Sequence, residues 1–243
     1  MEIAVVALAV VIGALVKSVT GIGLPPIAIP VLAVFVGPQE AIVIMTLSTI
    51  VTNAYLSWAY RDAAGESRHL ATMVLAGVVG APFGVYFLTS LDASVIGLVL
   101  GTTVLIYVAF SLWKPDLAID EATARRSAIP VGLAGGALQG ATGLSSVVLA
   151  SYIHALGISP RAFVFTISML FQVFAVVQAI GFVVAGSYTT DIVVASVVAT
   201  VAATIVLALG TRLSPKVSPR VFHRLVLGVL TLSAARLLYD AFK

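Results

Sequence analysis

Long apolar runs alternate with short polar gaps along this chain. Six runs of about 20 residues each match the length of a membrane-spanning helix. They cover residues 40–60, 69–88, 93–113, 161–185, 191–210 and 221–239. The gaps hold nearly all the charge, as in RDAAGESR at 61–68, KPDLAIDEATARR at 114–126 and TRLSPKVSPR at 211–220. Pro38, Pro115, Pro160 and Pro219 stand at run edges, where proline starts or stops helices. Two stretches, 3–36 and 129–158, are too long for one span and too short for two spans and a turn. Each is interrupted at its centre by polar and flexible residues. The first break reads Lys17-Ser-Val-Thr-Gly-Ile-Gly-Leu-Pro-Pro26, and the second Gln139-Gly-Ala-Thr-Gly-Leu-Ser-Ser146. Each stretch therefore predicts a broken, re-entrant helix hairpin. Residues 26–36 would give about 16 Å of helix at 1.5 Å per residue, close to half of a hydrocarbon core of about 30 Å.

The two broken stretches align at an offset of 122 residues. Thr20-Gly21 falls on Thr142-Gly143, Gly13 on Gly135, Ala28 on Ala150, Pro38 on Pro160 and Thr46 on Ser168. Residues 98–101 (LVLG) recur at 225–228. This points to a duplication: a first repeat over 1–113, a cytoplasmic linker over 114–127 and a second repeat over 128–243. Equivalent loops have exchanged their positive charge. Arg61 and Arg68 follow the first span of the first repeat, whereas 186–190 in the second is uncharged. The 90–92 turn carries no cation, whereas its counterpart carries Arg212, Lys216 and Arg220. Cations mark the cytoplasmic side, so the repeats are expected to be inverted. Each would be a hairpin plus three transmembrane helices, with both termini outside. Eight full spans with parallel halves would instead spread the cations over both faces.

Composition narrows the class. Of 243 residues, 60% are hydrophobic and 9% charged, against about 25% charged in soluble domains. Mean hydropathy is +1.15. Such a chain cannot cover a water-facing surface, which excludes a soluble enzyme, a disordered protein and a nucleic-acid binder. The net charge is only +3. The expected surroundings are a lipid bilayer, and a homo-oligomer is left open. Glu2 precedes the first apolar run and the first cation is Lys17, so that run reads as part of the folded protein and not as a cleaved leader. The absence of cysteine excludes disulfides and thiolate metal sites.

Broken helices in inverted repeats place a transport site near the midplane. A helix N-terminus leaves free N–H donors and a partial positive charge, which favours an anion. Half-helices starting near Pro25/Pro26 and Leu144/Ser145 could aim such ends at one small anionic substrate. Gly21, Gly23 and Gly143 would allow close backbone approach, and Thr20, Thr142, Ser145 and Ser146 would add hydroxyl donors. Lys17, and its repeat counterpart Gln139, complete the candidate substrate-binding set; an ammonium inside the membrane usually has a functional reason. Its bland alternative is an interface anchor. Thr46, Thr49 and Asn53 on one helix face, and Ser168 and Gln172 on its counterpart, are candidate pathway residues or simply interhelical hydrogen bonds. Gly77, Gly80 and Gly84 read as packing, and His154 as a cap. All ten carboxylates lie in gaps or at run ends. No catalytic constellation, metal-ligand spacing or cofactor loop is visible, so neither an enzyme nor a cofactor or metal is expected.

At GALVKSVTGIG with IAIPVLAVFVGPQEAIV, and at the echo GALQGATGLSS with GISPRAF, the chain resembles the TauE/SafE sulfite-exporter family, also called the toluene-sulfonate uptake permease family. It departs from the family pattern in lacking a second-half proline to match Pro30. The resemblance implies an inner-membrane transporter of sulfite, a sulfonate or an organosulfur carboxylate, usually an exporter in bacteria. The alternatives are an uptake permease for a sulfonate or another organic anion, and a non-transporting membrane subunit.

Overall fold

A computed structural model of the chain describes residues 3–20, 23–113, 118–213 and 219–242. Among them there are ten α-helices, one 3-10 segment and no strand. Before residue 114 lie α1 (Ile3–Thr20), α2 (Leu24–Val36), α3 (Pro38–Ala59), α4 (Leu70–Ser90) and α5 (Ala93–Trp113), with the 3-10 segment Arg61–Glu66 after α3. After it lie α6 (Glu121–Thr142), α7 (Ser146–Ala155), α8 (Pro160–Val184), α9 (Thr190–Leu213) and α10 (Pro219–Ala241).

The helix starts follow local chemistry. Prolines occupy the first turns of α2, α3 and α8, where the lost N–H would lack a partner anyway. Asp120 caps α6 by accepting from Thr123 N–H at 2.9 Å, and Ser159 caps α8 by accepting from Ala162 N–H at 3.3 Å. The Asp120 cap starts α6 at Glu121, so 121–127, expected as linker, form its first turns. The second hairpin thus begins eight residues earlier than 129.

Five helices are long and apolar enough to cross a membrane: α3, α4, α5 through Phe110, α8, and α9 through Gly210. The sixth expected span is α10; the side chains of its first turns lie outside the described ones. Leu75, Val79, Phe83 and Tyr86 form an exposed stripe on α4, and Val194, Val197, Val201, Ile205 and Leu209 form another on α9. Water would penalise such faces, while lipid accommodates them. The chain is an all-α, multi-pass membrane protein.

Both breaks are hairpins. In the first, a Cβ added at Gly13 would lie 3.2 Å from the Leu24 Cα, so α2 folds back along α1. In the second, Ile119 N–H donates to Ala155 O at 3.2 Å and the Tyr152 hydroxyl to Ala124 O at 2.6 Å, so α7 ends where α6 begins.

Contacts cross between the halves. α6 runs parallel to α4 with almost no gap: Gly77, Gly80 and Gly84 face Gly132, Gly136 and Gly140. α1 packs on α9, where Gly210 abuts Ser18. α3 and α8 cross the centre antiparallel, Thr46 beside Gln178 and Asp62 beside Arg161. α5 and α10 also run antiparallel, Gly97 beside Leu237 and Gly101 beside Ala234.

One end of the bundle carries ion pairs. Arg161 grips both Asp62 carboxylate oxygens at 2.8 Å, and Glu121 lies 3.5 Å from Arg68 and 2.9 Å from His69. These pairs bring the 61–69 loop and the starts of α6 and α8 to the same end. Lys114 and Lys216 lie outside the described residues, as do the side chains of Arg212 and Arg220.

Candidate functional site

Lys17 stands three residues before the end of α1 and is 1% exposed. Among the described residues it is the one buried charged side chain. Its ammonium donates to Asn53 Oδ1 at 2.6 Å. Asn53 is oriented in turn, since its Nδ2 donates to Thr49 O at 2.8 Å. The partner on α3 is thus neutral, and no described carboxylate pairs with the ammonium. Ser57, one turn beyond Asn53, has a buried hydroxyl with no hydrogen-bond partner among the described residues.

The second break builds a neutral counterpart. Gln139, at the position matching Lys17, accepts the Ser145 hydroxyl on its Oε1 at 2.8 Å. Gln178 of α8 donates from Nε2 to the Gln139 and Gly140 carbonyls at 2.6 and 3.2 Å. Longer 3.4 Å contacts bring Gln139 Nε2 and the Thr46 hydroxyl to Gln178 Oε1. Gly143 turns the chain at φ 69°, and its N–H donates to Gln139 O at 2.8 Å. An L-residue resists that conformation. The Thr142 hydroxyl donates to Leu138 O at 2.7 Å and accepts from Leu144 N–H at 3.1 Å.

The breaks of the two halves approach each other. Gly143 abuts the Ile29 side chain of α2. A narrow crevice, tighter than a water molecule, runs between Pro26 of α2, Val104 and Tyr107 of α5, and Leu144, Ser146 and Val147 at the start of α7.

Several expected residues therefore converge: Lys17 with Asn53, and Gln139 with Ser145. Thr46 joins the second group through Gln178, and Thr49 supplies the carbonyl that orients Asn53. Ser146 and Ser168 present buried hydroxyls with no hydrogen-bond partner among the described residues. Gly23 caps α2 at φ 141°, with Val16 pressed against it. Gln172 is only half-buried, while Gln178 holds the network. Gly21 lies outside the described residues, as does the side chain of Thr20. Gln178 was missed; a second glutamine deep in an apolar helix was the available signal. Val104 and Tyr107 gave none, since apolar and aromatic residues are ordinary there.

The two half-helix starts are chemically unequal. Pro25 and Pro26 carry no N–H, and Ile27 N–H already donates to Gly23 O at 3.2 Å. α2 therefore offers little beyond its dipole and the Leu24 N–H. α7 begins Ser-Val-Val, with a full set of first-turn donors.

Helices crossing a bilayer around a buried polar seam, which among the described residues holds one charged side chain, define a polytopic membrane protein. Residues 5–237 match the family model of the sulfite exporter TauE/SafE, and the chain belongs to that family. Membership makes it a membrane transporter of the sulfite and sulfur-anion class, a family of transporters and not of enzymes. No curated protein and no solved structure matched the chain.

Proposed function

We propose that the chain exports a small sulfur-containing anion across the bacterial inner membrane: sulfite, a sulfonate or an organosulfur carboxylate. It binds the anion between the two helix breaks. The observation that carries this reading is Lys17, buried with only a neutral partner among the described residues. An uncompensated ammonium in the membrane is unfavourable by at least a few kcal/mol. A bound anion supplies the counter-charge and draws on the unused hydroxyls of Ser57, Ser146 and Ser168. The antiparallel run of α3 against α8 and of α5 against α10 supports an inverted repeat. Gathering of Arg68 and Arg161 at one end supports that end as cytoplasmic.

The test is binding to purified full-length protein. Sulfite, thiosulfate, sulfoacetate, taurine and short carboxylates are compared by thermal shift, since a ligand that binds only the folded state raises its stability. Lys17→Gln is expected to weaken the best ligand more than tenfold, as a charged hydrogen bond is worth about 1.5–3 kcal/mol. Thr142→Val is expected to act in the same direction but less. Unchanged binding and transport by Lys17→Gln would leave the lysine only a structural partner of Asn53 and remove the proposed site.

A further inference from the structure

We infer that the crevice between α2, α5 and α7 seats the transported anion by two distinct contacts, and that α5 sets which anions fit. This rests on the transport reading above and adds a specificity-determining wall to it. The polar contact is at the start of α7. Ser146 is 3% exposed, lines the crevice, and its hydroxyl has no hydrogen-bond partner. It sits in the first turn of a ten-residue helix whose backbone N–H groups point the same way. An unused buried hydroxyl beside free backbone donors suits an oxyanion group such as sulfonate or carboxylate.

The other walls are Pro26, Val104, Leu144 and Val147, with Tyr107. An inorganic oxyanion would lose hydration against such walls and gain little in return. An anion with a short carbon body would bury that body there while Ser146 holds the charged end. The crevice is narrower than a water molecule, so its walls part when the anion enters. Val104 is 1% exposed and faces the crevice from a helix of the first half, opposite the second-half break. It is placed to limit the length of the carbon body.

The experiment uses the full-length protein in detergent with four probes: sulfite, methanesulfonate, ethanesulfonate and 1-propanesulfonate. Ser146→Ala is expected to weaken the alkylsulfonates by about tenfold. Val104→Ala is expected to shift preference toward 1-propanesulfonate over ethanesulfonate by about tenfold, the usual worth of a methylene in an apolar pocket, with sulfite binding unchanged. Val147→Ala is a second enlargement, so that a poorly folded Val104 variant does not decide the matter. Ligand-free thermal midpoints report folding separately. An unaltered chain-length ranking in both enlarged variants, with binding still lost in Lys17→Gln, overturns the crevice and leaves the transport reading standing. A wild-type chain that binds none of the four anions overturns both.

Discussion

Single residues in the seam do two kinds of work, and Gln178 separates them. At the end of α6 the Gln139 carbonyl keeps a backbone partner in the Gly143 N–H, while the Gly140 carbonyl lacks an intrahelical one because the helix stops at Thr142. Gln178 reaches across from α8 and donates to both. Gln178→Leu is therefore expected to lower stability by about 1–3 kcal/mol, the cost of leaving buried groups unsatisfied. Gln172→Leu, at a half-buried position, should change the thermal midpoint little. Equal loss in both would show that the carbonyl contacts contribute nothing. Lys17 and its polar break are visible in sequence because charge is so rare in an apolar chain. Gln178 shows in sequence as a polar residue deep in an apolar run, but its role does not, because its closest partners are backbone carbonyls, which leave no trace in the spacing of side chains. At the bundle end, the hydrogen bonds and charge of Arg161 hold the Asp62 carboxyl below its ordinary value of 3.8. Whatever stability the pair contributes is present at neutral pH and is lost only as pH falls through that lowered value. Because both groups are exposed, the contribution is small.

At the scale of elements, the glycine-lined contact between α4 and α6 is the tightest. A Cβ at Gly136 would clash with the Gly77 backbone, and one at Gly84 with the Ala137 carbonyl. Neither neighbour can rotate away. Gly136→Ala is expected to cost about 1–3 kcal/mol through overpacking. Gly228 of α10 has nothing near its missing Cβ. Gly228→Ala should be neutral or stabilise by about 0.5–1 kcal/mol, as alanine does in a helix. Thermal unfolding in detergent distinguishes the two. Span positions were legible because lipid demands apolar length, and both breaks because glycine, threonine and proline interrupt that length. The start of α6 was not. Its first turns carry Glu121, Arg125 and Arg126, and a hydropathy boundary falls after them although the Asp120 cap begins the helix before them.

For the whole molecule, the loop cations predict an orientation. Single cysteines at Ser67 and Ser218 are expected to react with an impermeant thiol reagent only from the cytoplasmic side, and those at Ser187 and Lys243 only from outside. Labelling of Ser67 and Ser187 from the same side would sink the inverted arrangement. Energetics follow from the positions of the carboxylates. Among the described residues none lies mid-helix in the membrane, and on the export reading the membrane potential alone is expected to drive transport. An interior about 100 mV negative drives each exported negative charge outward with about 2.3 kcal/mol, enough for more than tenfold accumulation. In proteoliposomes at equal pH and without sodium, outward anion flux should rise as a potassium–valinomycin potential makes the interior more negative. Flux that ignores voltage and follows only a pH gradient would refute this.

The crossing of contacts between halves also bears on how the chain is made. α4 finds α6 soon after it is synthesised, but α1 rests on α9, which leaves the ribosome some 170 residues later. Asn53 of α3 can meet Lys17 early, but the α9-facing side of the first hairpin must wait uncovered in the bilayer until the last quarter of the chain arrives. Neither half is therefore expected to mature alone. Two polypeptides divided within 114–120 should accumulate in the membrane when made together, and each should be degraded when made without the other.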